Sequence, residues 1–144
     1  MGARSIFYPK TASVIHSGDR KSLALDRLCM PPEKDDASYL WDMLDAAKAI
    51  KEFIAGRSYH DYLRDRMFRG AVERHLEIIG EAAGKVSKVF RDAHPEIPWQ
   101  KIIGQRHVLI HEYGDIEHEL IWMAVTIHIP DLIKKLEPLI PPIP

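Results

Sequence analysis

Apolar residues recur at three- and four-residue spacing over most of this chain, and no segment alternates convincingly with period two. That periodicity leaves one family of solutions, helices that each bury one stripe against another helix. The clearest case is Leu40, Met43, Leu44, Ala47, Ile50 and Ile54, which predict a helix from about Ser38 to Ala55. Asp36 or Ser38 suits its start, and Gly56 suits a left-handed stop. Ser58 and Asp61 resemble a capping box with the shorter acid. They open a second helical region that runs to about Phe90 through Leu63, Met67, Ala71, Val72, Leu76, Ile79, Ala83 and Val86. Gly70, Gly80 and Gly84 each cost about 1 kcal/mol against Ala inside a helix. Their presence predicts a close helix–helix approach or a kink along this element.

His94-Pro95-Glu96-Ile97-Pro98-Trp99 reads as a rigid connection, with Pro98 suited to a helix's first turn. A further helix carries Trp99, Ile102 and Ile103 and stops at Gly114-Asp115. The last begins near Ile116 and uses Leu120, Ile121, Ala124, Ile127, Leu132 and Leu136, with Pro130 kinking it or splitting off its final turns. Pro138, Pro141, Pro142 and Pro144 predict an extended tail. The fold expected is all-α, a four- to five-helix bundle. Domain limits follow from the same pattern: a poorly ordered extension at 1–36, a helical domain at 37–137 and a proline-rich tail at 138–144. Ser, Thr, Gly and Pro break up the first of these, and Met30-Pro31-Pro32 closes it. The other reading of that extension is a natural start at Met30; the intact mass of the native protein separates the two.

A formal net charge of −1 gives no global field drawing the chain to nucleic acid or membrane, so RNA binding would need a local patch. The single Cys29 excludes an intramolecular disulfide. No apolar run reaches the length of a membrane span and no signal-peptide core is evident, so a cytoplasmic protein is expected.

Chemistry concentrates in Gln105-Arg106-His107-Val108-Leu109-Ile110-His111-Glu112-Tyr113. On a continuous helix Arg106 and Tyr113 share a face, whereas His111 points about 140° away from Arg106. Either the helix ends near His111 or a second chain completes the group. Cleaving an RNA phosphodiester needs a group to take the 2′-hydroxyl proton, one to protonate the leaving oxygen, and positive charge on the phosphorane. An imidazole serves the first two roles near neutral pH, and a guanidinium the third. Tyr113 can orient a phosphate or stack on a base. The plainer reading of the pair is a surface arginine beside a helix-capping histidine.

His107 and His111 also have one metal-ligand spacing, with His118 a conceivable third ligand, but no cysteine is near and Glu112 points elsewhere. No metal or other cofactor is expected. The remaining histidines, His16, His60, His75, His94 and His128, have no partner spacing. Arg64, Arg66, Arg69 and Arg74 form a basic cluster able to track an RNA backbone. Interleaved Asp61, Asp65 and Glu73 fit an ordinary solvated face equally well. Glu81 sits among small residues in an apolar segment, so it either pairs, with Arg106 a candidate, or is exposed.

The spacing Arg106-x4-His111-x-Tyr113 resembles the Arg-x4-His-x-Tyr motif of HepT-like ribonuclease toxins of the HEPN superfamily. Ile78-Ile79-Gly80-Glu81-Ala82-Ala83, Ile97-Pro98-Trp99-Gln100-Lys101-Ile102-Ile103-Gly104 and Leu120-Ile121-Trp122 resemble further blocks of that family in the same order. The likeness spans residues 38–137. It implies a helical homodimer joined through the motif-bearing helices, with Arg106 and His111 as a metal-independent catalytic pair in a shared cleft. It implies an RNA substrate, such as tRNA or mRNA, for the toxin of a type VII-like toxin–antitoxin pair. It also implies an MntA-type nucleotidyltransferase antitoxin that transfers AMP to Tyr113. His107 departs from the family, which commonly has Asn after the motif arginine, so a second imidazole there either assists or replaces an amide that supports the turn; Glu81 and His107 are the expected supporting residues. The reading from a different class is a non-catalytic helical subunit that docks a nucleotidyltransferase.

Overall fold

The first long helix, α1 (Asp36–Ile54), begins two residues earlier than its apolar stripe suggests, because Asp35 supplies the cap. The Asp35 carboxylate accepts from the Ser38 backbone N–H at 2.9 Å and from the Ser38 hydroxyl at 2.7 Å. Gly56 stops the helix with φ +69°, the left-handed conformation that glycine adopts without a Cβ penalty. The computed structural model describes residues 34–112 and 114–142. Almost all of the 1–36 extension, and Tyr113, lie outside the described residues.

The helical region expected from Ser58 to Phe90 is three helices rather than one: α2 (Tyr59–Arg64), α3 (Arg66–Lys85) and α4 (Lys88–Ala93). Ser58 and Asp61 do form the reciprocal capping box, at 3.1 and 2.8 Å. Asp65 then leaves helical geometry, ending α2 and capping α3 by accepting from the Phe68 N–H at 3.1 Å. Arg57 reaches the same carboxylate at 2.9 Å, and its guanidinium lies 4.2 Å from the centre of the Phe68 ring. Ser87 repeats the device before α4, accepting from the Phe90 N–H at 3.2 Å. Both breaks fall where a short polar side chain offers the backbone a better partner than another helical turn.

Pro98 caps α5 (Trp99–His111) instead of occupying its first turn, and the Trp99 indole donates to the His94 carbonyl at 2.9 Å. The last rod starts two residues later than expected and runs as α6 (His118–Met123), a π turn (Ala124–His128) and α7 (Ile129–Leu136). Pro130 explains the interruption: it has no N–H for the Thr126 carbonyl and its ring crowds that oxygen. The Thr126 hydroxyl adds a 2.7 Å bond back to the Trp122 carbonyl, which favours bending at the same place. The expected extended tail is corrected at its start, since Glu137–Leu139 forms a 3-10 turn. Pro138 fits there because a first-turn N–H has no helical partner, and Leu139 and Ile140 pack on the core.

Four rods therefore make the bundle: α1, α3, α5 and the α6–α7 rod, with α1 on α3, α3 on α5 and α7 on α1. Leu40, Met43, Ile50, Val72, Ile79, Val125 and Leu136 are almost completely buried between them. No β-strand occurs among the described residues. At one edge the buried Tyr62 hydroxyl donates to Glu73 at 3.0 Å and lies 3.3 Å from His118 Nδ1, tying α2 to α3 and α6. Since the single hydroxyl proton goes to Glu73, Nδ1 acts as the donor to the phenol oxygen. Burial, with the Glu73 carboxylate alongside, pushes the Tyr62 phenol far above the usual tyrosine range.

Hydrogen bonds from Ser38 hold the Asp35 carboxyl below the ordinary aspartate range; bonds from Ser58 do so for Asp61, and from Phe68 and Arg57 for Asp65. A depressed folded-state pKa adds stability that is present above the unfolded value and lost as pH falls through the folded one. The melting temperature should therefore hold between pH 7 and about pH 5 and drop below about pH 4. Calorimetry over that range checks it, and Asp61→Asn should make the acid limb shallower.

Candidate functional site

The chemistry-bearing stretch lies on the last two turns of α5. Backbone bonding continues to the end, with the Glu112 N–H donating to the Val108 carbonyl at 2.9 Å, and Glu112 then departs at φ −120°, ψ 34°. Arg106 and His111 thus share one uninterrupted helix, five residues apart. Helical geometry sets them about 140° apart in direction and about 7.5 Å apart along the axis. The helix does end near His111, but too late to bring the pair together.

Arg106 is held at the crossing of α3 and α5. A Cβ built on Gly80 would lie 2.3 Å from the Arg106 Cβ, 3.2 Å from its Cγ and 3.1 Å from the Ile102 carbonyl oxygen. The close approach expected of the three glycines occurs at this one, while Gly70 and Gly84 face open space. Arg106 Nε is buried and meets no hydrogen-bond partner among the described residues. A buried unpaired donor costs about 1–3 kcal/mol, more when charged.

His107 and His111 are both exposed, and their rings face each other across one turn with centroids 4.5 Å apart and planes at 49°. His118, the conceivable third ligand, is taken up by Tyr62 and by Glu73, 3.8 Å away, at the α2 edge. No group of three or more His, Cys, Asp or Glu side chains is placed to hold a metal among the described residues.

Glu81 follows Gly80 but turns outward, 45% exposed and bonded to Lys85 at 3.2 Å. Lys85 is the main cause of the lowered Glu81 pKa, and the Arg106 charge contributes less. The candidate pairing with Arg106 is thus replaced by an i,i+4 surface pair. The arginine cluster is also divided. Arg69 binds the Leu63 carbonyl at 2.6 Å and Arg74 binds Glu77 at 3.2 Å, while Arg64 meets His60 at 3.3 Å. Arg69 closes the end of α2 and does not face outward as part of a phosphate track.

Two features carried no sequence signal. The Tyr62–Glu73–His118 group joins residues up to 56 positions apart. A cavity of about 70 Å³ beneath α5 has Ile102, Gln105, His128 and Asp131 in its wall, drawn from α5 and from the π turn and α7. No described helix is long and apolar enough to cross a membrane. Because Glu81 sits in an exposed i,i+4 pair, Glu81→Gln should change stability by less than about 0.5 kcal/mol, measured by urea denaturation.

The family model described as "Ribonuclease HepT-like" matches residues 43–139. The chain is 36% identical over 105 residues to "Putative RNase MJ1380" of Methanocaldococcus jannaschii, covering 73% of this chain and 96% of that protein. It is 37% identical over 107 residues to "Probable ribonuclease HepT" of Thermococcus cleftensis, covering 74% of this chain and 97% of that protein. No solved structure gives a significant match. An all-α bundle with Arg106 and His111 on its motif helix, matched over more than half its length, belongs to the HepT-like ribonuclease family.

Proposed function

We propose that the chain is the toxin of a toxin–antitoxin pair and cleaves RNA without a metal, through Arg106 and His111 of two copies. The observation that carries this reading is Arg106, whose buried Nε meets no acceptor among the described residues. A guanidinium left without a carboxylate partner is suited to phosphate oxygens. In the reaction one His111 imidazole takes the proton from the 2′-hydroxyl, and the 2′-oxygen bonds to phosphorus. The P–O5′ bond breaks, and the imidazolium of the partner copy gives its proton to the leaving 5′-oxygen. The products are a 2′,3′-cyclic phosphate and a 5′-hydroxyl. Arg106 stabilises the charge that builds on the phosphorane oxygens.

The divergence of Arg106 and His111 by about 140° within one helix supports a site built from two copies. Apolar surface for a second copy is available, since Leu120, Met123 and Ile127 recur along the α6 rod at 54%, 48% and 59% exposure. His107, whose ring centre lies 4.5 Å from that of His111 at a tilt of 49°, is the proposed supporting residue that limits how that imidazole can turn. Tyr113 follows directly on the α5 cap and is the proposed target of a nucleotidyltransferase antitoxin. Its phenol oxygen would attack the α-phosphorus of ATP, releasing pyrophosphate. The added adenylate brings bulk and negative charge to the place where substrate phosphate must bind.

Purified wild type should cleave RNA in the presence of a chelator, and His111→Ala or Arg106→Ala should lower the rate at least about 100-fold. Equal cleavage by wild type and His111→Ala overturns the catalytic assignment. A subunit that only docks a nucleotidyltransferase predicts instead growth arrest that does not depend on Arg106. Co-expression with an MntA-type nucleotidyltransferase should raise the intact mass by whole AMP units, and Tyr113→Phe should abolish that gain.

A further inference from the structure

The contact between Gly80 and Arg106 has a feature that separates it from ordinary helix packing. The atom an added methyl would strike is the Arg106 Cβ, 2.3 Å away. That atom is set by the backbone of α5, so no rotamer of Arg106 relieves the overlap. The Ile102 carbonyl oxygen, at 3.1 Å, blocks a sideways escape. Ordinary carbon–carbon contact lies at about 3.5–4.0 Å. Any residue larger than glycine therefore moves the Arg106 turn of α5 away from α3 by more than about 1 Å. The neighbouring glycines give a built-in comparison, because a Cβ at Gly84 or Gly70 meets nothing within 4 Å.

We propose that Gly80 is the positioning residue for Arg106: its missing side chain seats the arginine stem against α3 and aims the guanidinium at substrate phosphate. The assignment rests on the ribonuclease reading above. Its physical basis is separate, and consists of the close contact and of a buried Arg106 Nε that meets no partner among the described residues. Gly80 touches no substrate. It sets the depth of a group that must meet a phosphorane within a fraction of an ångström, and a misplacement of about 1 Å costs about 100-fold in rate.

The test compares Gly80→Ala, Gly84→Ala and Val72→Ala with wild type. Val72 is fully buried on α3 two turns before Gly80, so its truncation weakens the core without touching Arg106. Cleavage of a single-stranded RNA oligonucleotide is measured where near-UV circular dichroism shows each variant folded. Gly80→Ala should lower kcat at least about tenfold with KM within about threefold. Gly84→Ala should keep wild-type kcat, and Val72→Ala should lose melting temperature but keep kcat. A thermal double-mutant cycle with Arg106→Gly reads the contact without activity. Gly80→Ala should lower the melting temperature by about 5 °C or more in wild type and by less than half as much in the Arg106→Gly background. Gly80→Ala with kcat within twofold of wild type overturns the proposal. So does a stability loss, including failure to fold, that Arg106→Gly does not relieve. If wild type cleaves no RNA, the ribonuclease reading fails by itself, and the thermal cycle still decides whether Gly80 seats Arg106.

Discussion

Everything in this bundle depends on α3 being covered by two other helices. α1 packs on it on one side and α5 on another, so its apolar surface spans more than the single stripe of a peripheral helix. Leu76, Ile79, Ala82 and Ala83 are all buried along it. Large side chains fill the α1–α3 space, where Leu40, Met43, Ala47 and Ile50 supply the opposing surface. At the crossing with α5 the bare Gly80 backbone faces the Arg106 stem and the Ile102 carbonyl, with no side chain of its own between. Helix axes normally stand 8–10 Å apart according to the side chains between them, and glycine removes that spacer. The place of α5, and with it the place of every candidate chemical group, follows from this one approach.

The site shows what a rigid helix can and cannot do. Continuous hydrogen bonding through Glu112 holds Arg106, His107 and His111 in a fixed relation. That relation sets the two imidazole rings 4.5 Å apart at a tilt of 49°, and the Arg106 and His111 positions about 140° apart around the helix. A single copy therefore presents the proposed catalytic groups, Arg106 and His111, in different directions. Among the described residues the buried Nε atoms of Arg106 and Arg91 meet no hydrogen-bond partner, a local cost that folding does not require.

Around this frame, short polar side chains decide where helices stop. Asp35, Ser58, Asp65 and Ser87 each satisfy a backbone N–H that would otherwise lack a partner at a helix start. Two of them, Asp65 and Ser87, cut a continuous apolar period into three helices. Pro130 does the same to the last rod by a different route, and the π turn precedes it, with the Ile129 N–H donating to the Ala124 carbonyl five residues back. The aromatic group of Tyr59, Tyr62, Phe68 and Trp122 then closes the edge that these short elements form.

The sequence by itself determined the helical class, the α1 stripe and its Gly56 stop, the Ser58–Asp61 box, and glycines that call for either a close helix approach or a kink. These are properties of spacing and of local backbone chemistry, which act within one or two turns. It also carried the blocks by which the chain resembles its family, while helical periodicity converted the spacing of Arg106 and His111 into direction along a single helix. Tertiary structure alone decided that Gly80, and neither Gly70 nor Gly84, meets α5, since all three look alike until a neighbouring backbone arrives. It likewise sent Glu81 to Lys85 instead of Arg106, and His118 to Tyr62 and Glu73. A side chain's partner is set by which helix faces it and at what distance, and no spacing within one chain segment encodes that.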